Sequence, residues 1–313
     1  MILLSKSHQS INKLRCFFEI FEKNNMAGKI FKLEEISGLK LDSLDKDNTV
    51  VIIPIGILEY HAHHLPYGTD LFINNAVTEG ITKGINKANP KLDLILYPNI
   101  PLGVFGIENL APSKFSEIGS FVISSENMTK VLVEIGSKFG QFKFKNIVFV
   151  SFHGAPDHCK SINKASDILN RKNKMNTFPL MSYLFFPLFF GGKFIPEFEK
   201  EIKRKFTDAE RKGILHFVHA ELVETSILLY LKPGLVNPIY KNLKPVVYDY
   251  EKMFDEIQKL DDWDGYVGVP SLSKKEIGKA VLKVINRKST SLVQDFINNK
   301  DFQKIKRYPD GLI

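Results

Sequence analysis

Two stretches of this chain, Val50-Val51-Ile52-Ile53-Pro54-Ile55 and Ile147-Val148-Phe149-Val150, run without a polar break. A strand buried on both faces reads this way, because neither row of side chains meets water. Helical periodicity lies between and beyond them. Met128, Val131, Leu132, Ile135, Phe139 and Phe142 keep a 3.6-residue period and predict a helix over 125–142. Further helices are expected over 72–87, 157–172, about 221–231 (ending before Pro233) and 274–287, with strands at 94–97 and 178–186. Thr207-Asp208-Ala209-Glu210 has the form of a capping box, so a helix is expected to start there. Strands alternating with helices predict an α/β fold whose largely parallel sheet is covered on both faces.

Composition narrows the function classes. The chain has 313 residues, 44% hydrophobic and 25% charged, which excludes a disordered chain or a disulfide scaffold. Its longest aromatic run, Leu184-Phe185-Phe186-Pro187-Leu188-Phe189-Phe190, is far short of the roughly 20 residues of a membrane helix and reads as a buried strand and turn. The net charge of +8 comes mainly from scattered lysine, with no basic stripe and no nucleic-acid motif. The expectation is therefore a cytoplasmic protein with a small-molecule substrate, no nucleic-acid partner and no membrane partner, its Cys16 and Cys159 reduced. Residues 1–26 form an N-terminal extension, with Leu14, Phe17, Phe18 and Phe21 at helical spacing, and 27–313 form one catalytic domain. The aromatic-rich insertion at 187–212 suits a lid, an oligomer contact or core packing.

The chemistry concentrates at the histidines. Of the eight, seven fall into three groups: His61, His63 and His64; His153 and His158; His216 and His219. The first group follows directly on the strand at 49–55, where open α/β folds place their ligands. Glu59 and His61 are two residues apart and point the same way in extended chain, and Asp70 offers two further oxygens able to bridge two ions. Nitrogen and oxygen ligands without cysteine suit Zn, Mn, Fe or Ni. The second group ends the strand at 146–152 with His153-Gly154, and Asp157 is expected to cap the next helix. In the third, His219 and Glu224 are five apart, so they converge only if His219 precedes the helix and Glu224 lies in its first turns. Glu221 and Thr225 then read as a surface pair.

In this order the three groups resemble the creatininase (creatinine amidohydrolase) family. The matching residues are Glu59, His61, His64, Leu65, Pro66, Thr69 and Asp70, then Ser151-Phe152-His153-Gly154-Ala155-Pro156, then His219, Ala220, Glu224, Thr225 and Ser226. Gly119-Ser120-Phe121-Val122-Ile123-Ser124 and Gly265-Tyr266-Val267-Gly268-Val269-Pro270 extend the likeness to about residues 27–290. The resemblance implies a three-layer α/β/α sandwich, a homo-oligomer that is often a hexamer, and a dinuclear site holding two divalent metal ions (Zn, Mn or Fe). By position, Glu59, Asp70 and His153 would hold one ion, and His61, Asp70 and a glutamate the other. Creatininase has that glutamate two residues after the second-motif histidine. Ala155 stands there in this chain, which makes Glu224 the candidate. His219 matches the catalytic histidine. The implied reaction is hydrolysis of the C–N bond of a small amide or cyclic amide, other than a peptide bond, by a metal-activated water.

This sequence departs from the family pattern in three places. Ala62 replaces a glycine beside His63, a change expected to narrow the pocket. The second motif lacks both asparagines that would orient His153. Leu215 stands where creatininase has a tryptophan, and the single tryptophan is Trp263, so creatinine is not the substrate the resemblance carries over. Family members also act on formamides of cofactor precursors, peptide tails and oxidised cyclitols. Two alternatives stay open on sequence: a non-catalytic metabolite-binding descendant, and a hydrolase of a sugar-like ring ketone or ester.

Overall fold

The structure is a computed structural model that describes residues 28–111, 119–189, 192–248, 252–260, 263–302 and 305–310. The expected N-terminal helix lies outside the described residues. Five strands form one sheet: β1 (Ile30–Lys32), β2 (Thr49–Ile55), β3 (Asp93–Leu96), β4 (Asn146–Ser151) and β5 (Asn176–Pro179). They are all parallel, in the order β1-β3-β2-β4-β5. The α-helices described are α1 (Gly38–Ser43), α2 (Thr69–Ala88), α3 (Ser125–Gln141), α4 (Pro156–Asn173), α5 (Leu180–Phe189), α6 (Ile195–Ile202), α7 (Asp208–Leu215), α8 (Leu222–Leu231), α9 (Met253–Lys259) and α10 (Lys275–Ile297).

The unbroken apolar runs are the two central strands, and their alternation divides the core. Val50 and Ile52 of β2 and Val148 and Val150 of β4 face a layer that includes α2, α8 and α10. Val51, Ile53, Ile147 and Phe149 face the opposite layer, built on α3 and α4. The sheet is thus the middle of three layers, as expected. In the first layer α10 crosses α8 so closely that a Cβ on Gly278 would collide with the carbonyl of Ser226.

Chain order explains where a site can form. After β2 the chain enters α2 on one face, and after the neighbouring β4 it enters α4 on the other. A crevice opens between adjacent strands at such a reversal, outside their carboxyl ends. The loop from β2 carries Glu59 and His61, and the loop from β4 carries His153.

Several local expectations are corrected. The strand expected over 178–186 stops at Pro179 and passes into α5, so Leu184–Phe189 are helical. A short apolar run lacks the periodicity to separate the two states. Phe194 and Phe198 of the aromatic insertion pack into the core, as does Phe185 before it. The last helix runs on to Ile297, since Ser289, Val293 and Phe296 continue its buried stripe. Asp157 is no cap. Ala155 is the N-cap residue of α4, Pro156 opens the helix, and Asp157 is exposed and paired with Lys160. No helix among the described residues is long and apolar enough to cross a membrane.

Candidate metal centre

The six residues singled out from sequence converge in the crevice. Glu59, His61, Asp70, His153, His219 and Glu224 are all at most 5% exposed. Glu59 and His61 lie in the first half of the loop from β2, and Asp70 sits in the first turn of α2. His219 is held by an antiparallel bridge to Val267, with His219 N donating to Val267 O at 3.3 Å and Val267 N to His219 O at 2.9 Å. Glu224 lies in the first turn of α8, so the helix does begin after His219.

Two groups of ligand atoms share Asp70. Its Oδ2 lies 3.2 Å from His153 Nδ1, which is 3.1 Å from Glu59 Oε2. Its Oδ1 lies 3.7 Å from His61 Nε2, which is also 3.7 Å from Glu224 Oε2. Within each group, the ligand atoms lie within 4.8 Å of one another. A third overlapping group joins Glu59, His61 and His219.

Every imidazole in the cluster is fixed by a main-chain carbonyl. His61 Nδ1 donates to Glu59 O at 3.0 Å, and His219 Nε2 donates to Tyr60 O at 2.8 Å. His153 Nε2 faces the carbonyls of Val104 (3.2 Å) and Phe105 (3.0 Å). A carbonyl only accepts, so each of these nitrogens carries a hydrogen and the other ring nitrogen points at the carboxylates. This is the orientation a metal-ligating histidine needs, and it replaces the missing asparagines. His158 secures the arrangement from below. It is buried, accepts from Val104 N at 3.3 Å and donates from Nε2 to Ser151 Oγ at 3.0 Å.

The electrostatics call for cations. Burial opposes the charge on Asp70, but His61 and His153 outweigh it and hold the carboxyl well below its ordinary range. Burial likewise opposes a charge on His61, but Asp70 and Glu224 raise it to about 10. His153 is raised well above its usual value against the same opposition by Glu59 and Asp70. Glu59 Oε2, Asp70 Oδ2 and His61 Nε2 are buried with no hydrogen-bond partner. Buried polar atoms left in this way are costly unless an ion satisfies them. Nitrogen and oxygen donors in this number fit Zn, Mn or Fe.

Two sequence expectations fail at the edges of the site. Ala62 packs into the core and His63 is exposed beside Asp264, so neither narrows the cavity. Ala62 has φ 54°, the left-handed region that favours glycine, which explains the glycine of the family pattern. Glu221 is not a surface residue. It is fully buried and caps α8, accepting from Val223 N at 2.7 Å and Glu224 N at 3.0 Å, while Thr225 bonds His64 Nε2 at 3.1 Å. Sequence reading missed Val104, Phe105 and His158 as orienting groups. A carbonyl carries no side-chain signature, and only the histidine pair 153/158 hinted at the last.

A parallel sheet covered on both faces, with buried carboxylates and imidazoles converging at its carboxyl ends, defines an α/β protein with a candidate metal centre. The chain belongs to the creatininase family: the family model described as creatinine amidohydrolase matches residues 34–293. A solved creatininase with Mn superposes with a TM-score of 0.61 at 15% identity, over 86% of this chain and 99% of that one. A glutamine variant of creatininase of Zn–Zn type gives 0.60 at 14% identity over the same shares. Among curated proteins, a mycofactocin precursor peptide peptidase of Mycobacterium tuberculosis is 28% identical over 123 residues. That match spans 38% of this chain and about half of the relative, 46%.

Proposed function

We propose that this protein is a metal-dependent amidohydrolase that cleaves the C–N bond of a small amide or cyclic amide with water. One observation carries the reading: three imidazoles, each tied to a carbonyl through one ring nitrogen, aim the other at three buried carboxylates that share one cavity. Glu59, Asp70 and His153 would hold one divalent ion, and His61, Asp70 and Glu224 the other. When bound, such ions make water acidic enough to act as a nucleophile near neutral pH and polarise the substrate carbonyl.

The remaining steps fall to the chain. His219 keeps its Nε2 hydrogen on Tyr60 O, and its Nδ1 lies 3.7 Å from Glu59 Oε1. Burial pulls its pKa down to about 4 against the opposing pull of Glu59. It is therefore neutral at pH 7, able to accept a proton at Nδ1 and hand it to the departing nitrogen. The balance is R–CO–NH–R′ plus water giving R–COOH and R′–NH₂. The peptidase name of the curated relative also denotes cleavage of an amide bond and so supports C–N chemistry. A homo-oligomer, expected from the resemblance, belongs to the same reading and is checked by light scattering on the full chain.

The test is amine release from a panel of linear, cyclic and peptide amides, using protein reconstituted with Zn, Mn or Fe. Hydrolysis that stops with chelator and returns with metal is expected. Protein carrying two ions per chain yet inert on the whole panel would contradict the proposal.

A further inference from the structure

The cavity above the cluster is far more apolar than a site for a small polar ring requires. Its volume is about 490 Å³. Beside the polar cluster the lining includes Phe105, Ile107, Leu110, Phe217, Tyr248 and Met253, with Ile107 N bonded to Glu59 Oε1 at 2.8 Å, so apolar wall begins at the cluster itself. Most of this wall is preformed. Ile107, Leu110 and Met253 are buried in one apolar cluster, against which Phe105 and Tyr248 pack. Among the described residues, the lining outside the metal cluster carries His216 and the charged residues Asp157 and Lys160, a half-exposed pair 3.6 Å apart that cancels its own charge. The apolar residues described there offer shape and dispersion to a substituent. A small polar amide at the cluster would leave the wall wet, whereas an aromatic or branched aliphatic group would displace that water.

We infer that the substrate is an amide carrying a bulky apolar group, aromatic above all, next to its scissile bond. This rests on the amidohydrolase reading for the bond and on the cavity alone for the group. The cluster holds the carbonyl and nitrogen, and the apolar group lies beside it against Phe217, Met253 and Ile107. The C–N bond breaks, water's oxygen bonds to the acyl carbon, and one water proton ends on the nitrogen. The apolar group is unchanged and supplies binding energy and orientation.

Three probes separate the acyl side from the amine side: acetamide, phenylacetamide and N-benzylacetamide, given to metal-reconstituted protein. At least one aromatic amide should exceed acetamide in kcat/KM by about a hundredfold, the order expected for burying one ring. Which one does so identifies the side facing the wall. Binding is read separately by calorimetry on the full chain with phenylacetate and acetate at two temperatures. Phenylacetate should bind at least tenfold tighter, with a negative heat-capacity change. Phe217→Ala and Met253→Ala should each lower the aromatic-to-acetyl preference about tenfold. Equal turnover of acetamide and both aromatic amides, or equal binding of the two carboxylates, would overturn the inference and leave the amidohydrolase reading standing. Tight phenylacetate binding with no amide turned over would support the cavity assignment and refute the amide chemistry.

Discussion

Replacing Glu210 with Gln removes one charge from a buried four-donor site and should cost about 2 kcal/mol of stability at neutral pH. The carboxylate accepts from Arg204 Nη1 at 2.7 Å and Nη2 at 2.8 Å, from Lys274 Nζ at 2.8 Å and from Thr207 N at 2.9 Å. It thereby fastens the start of α7 to the N-cap residue of α10, and α7 runs directly into the segment that carries His219. The Arg204 hydrogen bond, helped against burial by Lys274 and Thr207, holds its pKa at about 2. A displacement of that size from 4.5 corresponds to roughly 3 kcal/mol, which the partial exposure of Arg204 and Lys274 reduces to about 2. Gln keeps one acceptor oxygen for Thr207 N, as a capping box allows, and turns its amide NH₂ toward the Arg204 and Lys274 donors, so charge and acceptor are lost together there. A folded-state pKa below the unfolded one stabilises above about pH 4.5, and that stability is lost as pH falls through about 2. Urea midpoints of wild type and Glu210→Gln should differ clearly at pH 7 and approach each other below about pH 3. A gap under about 0.5 kcal/mol at pH 7, or one unchanged down to pH 2, would refute the reasoning.

Other expectations are checked with similar means. Asp70→Asn should remove most bound metal from both groups, because each of its oxygens serves one of them, while the far-ultraviolet spectrum stays native; one full ion remaining per chain would refute sharing. His158→Leu removes the acceptor for Val104 N and should weaken metal binding by roughly 10–100-fold in a chelator competition, with His158→Asn recovering part of it. Equal affinity in wild type and His158→Leu would detach His158 from the orientation of His153. Ala62→Gly should raise the unfolding free energy by about 0.5 kcal/mol by relieving the left-handed backbone, whereas a loss of stability would show that the buried methyl matters more.

The sheet was largely legible because its central strands are buried on both faces, and such strands look alike in any sequence. The edge strand β1, three residues long, left no such signature. The helix α5 reads as strand because apolar side chains at almost every position erase periodicity. At the site, Glu59, His61, Asp70, His153, His219 and Glu224 stood out as residue types that rarely cluster without cause. Their orientation was not legible. The carbonyls of Tyr60, Val104 and Phe105 aim the imidazoles, and backbone groups are identical at every position. The burial of Glu221 was equally hidden, since a cap inside the protein and an exposed acid have the same letter.

Two divalent ions sharing Asp70 are the core of the proposed chemistry. Inductively coupled plasma mass spectrometry on protein purified without chelator tests this most directly. About two equivalents of Zn, Mn or Fe per chain are predicted, falling well below one in Asp70→Asn. Wild-type protein that stays metal-free after reconstitution with all three would contradict the account.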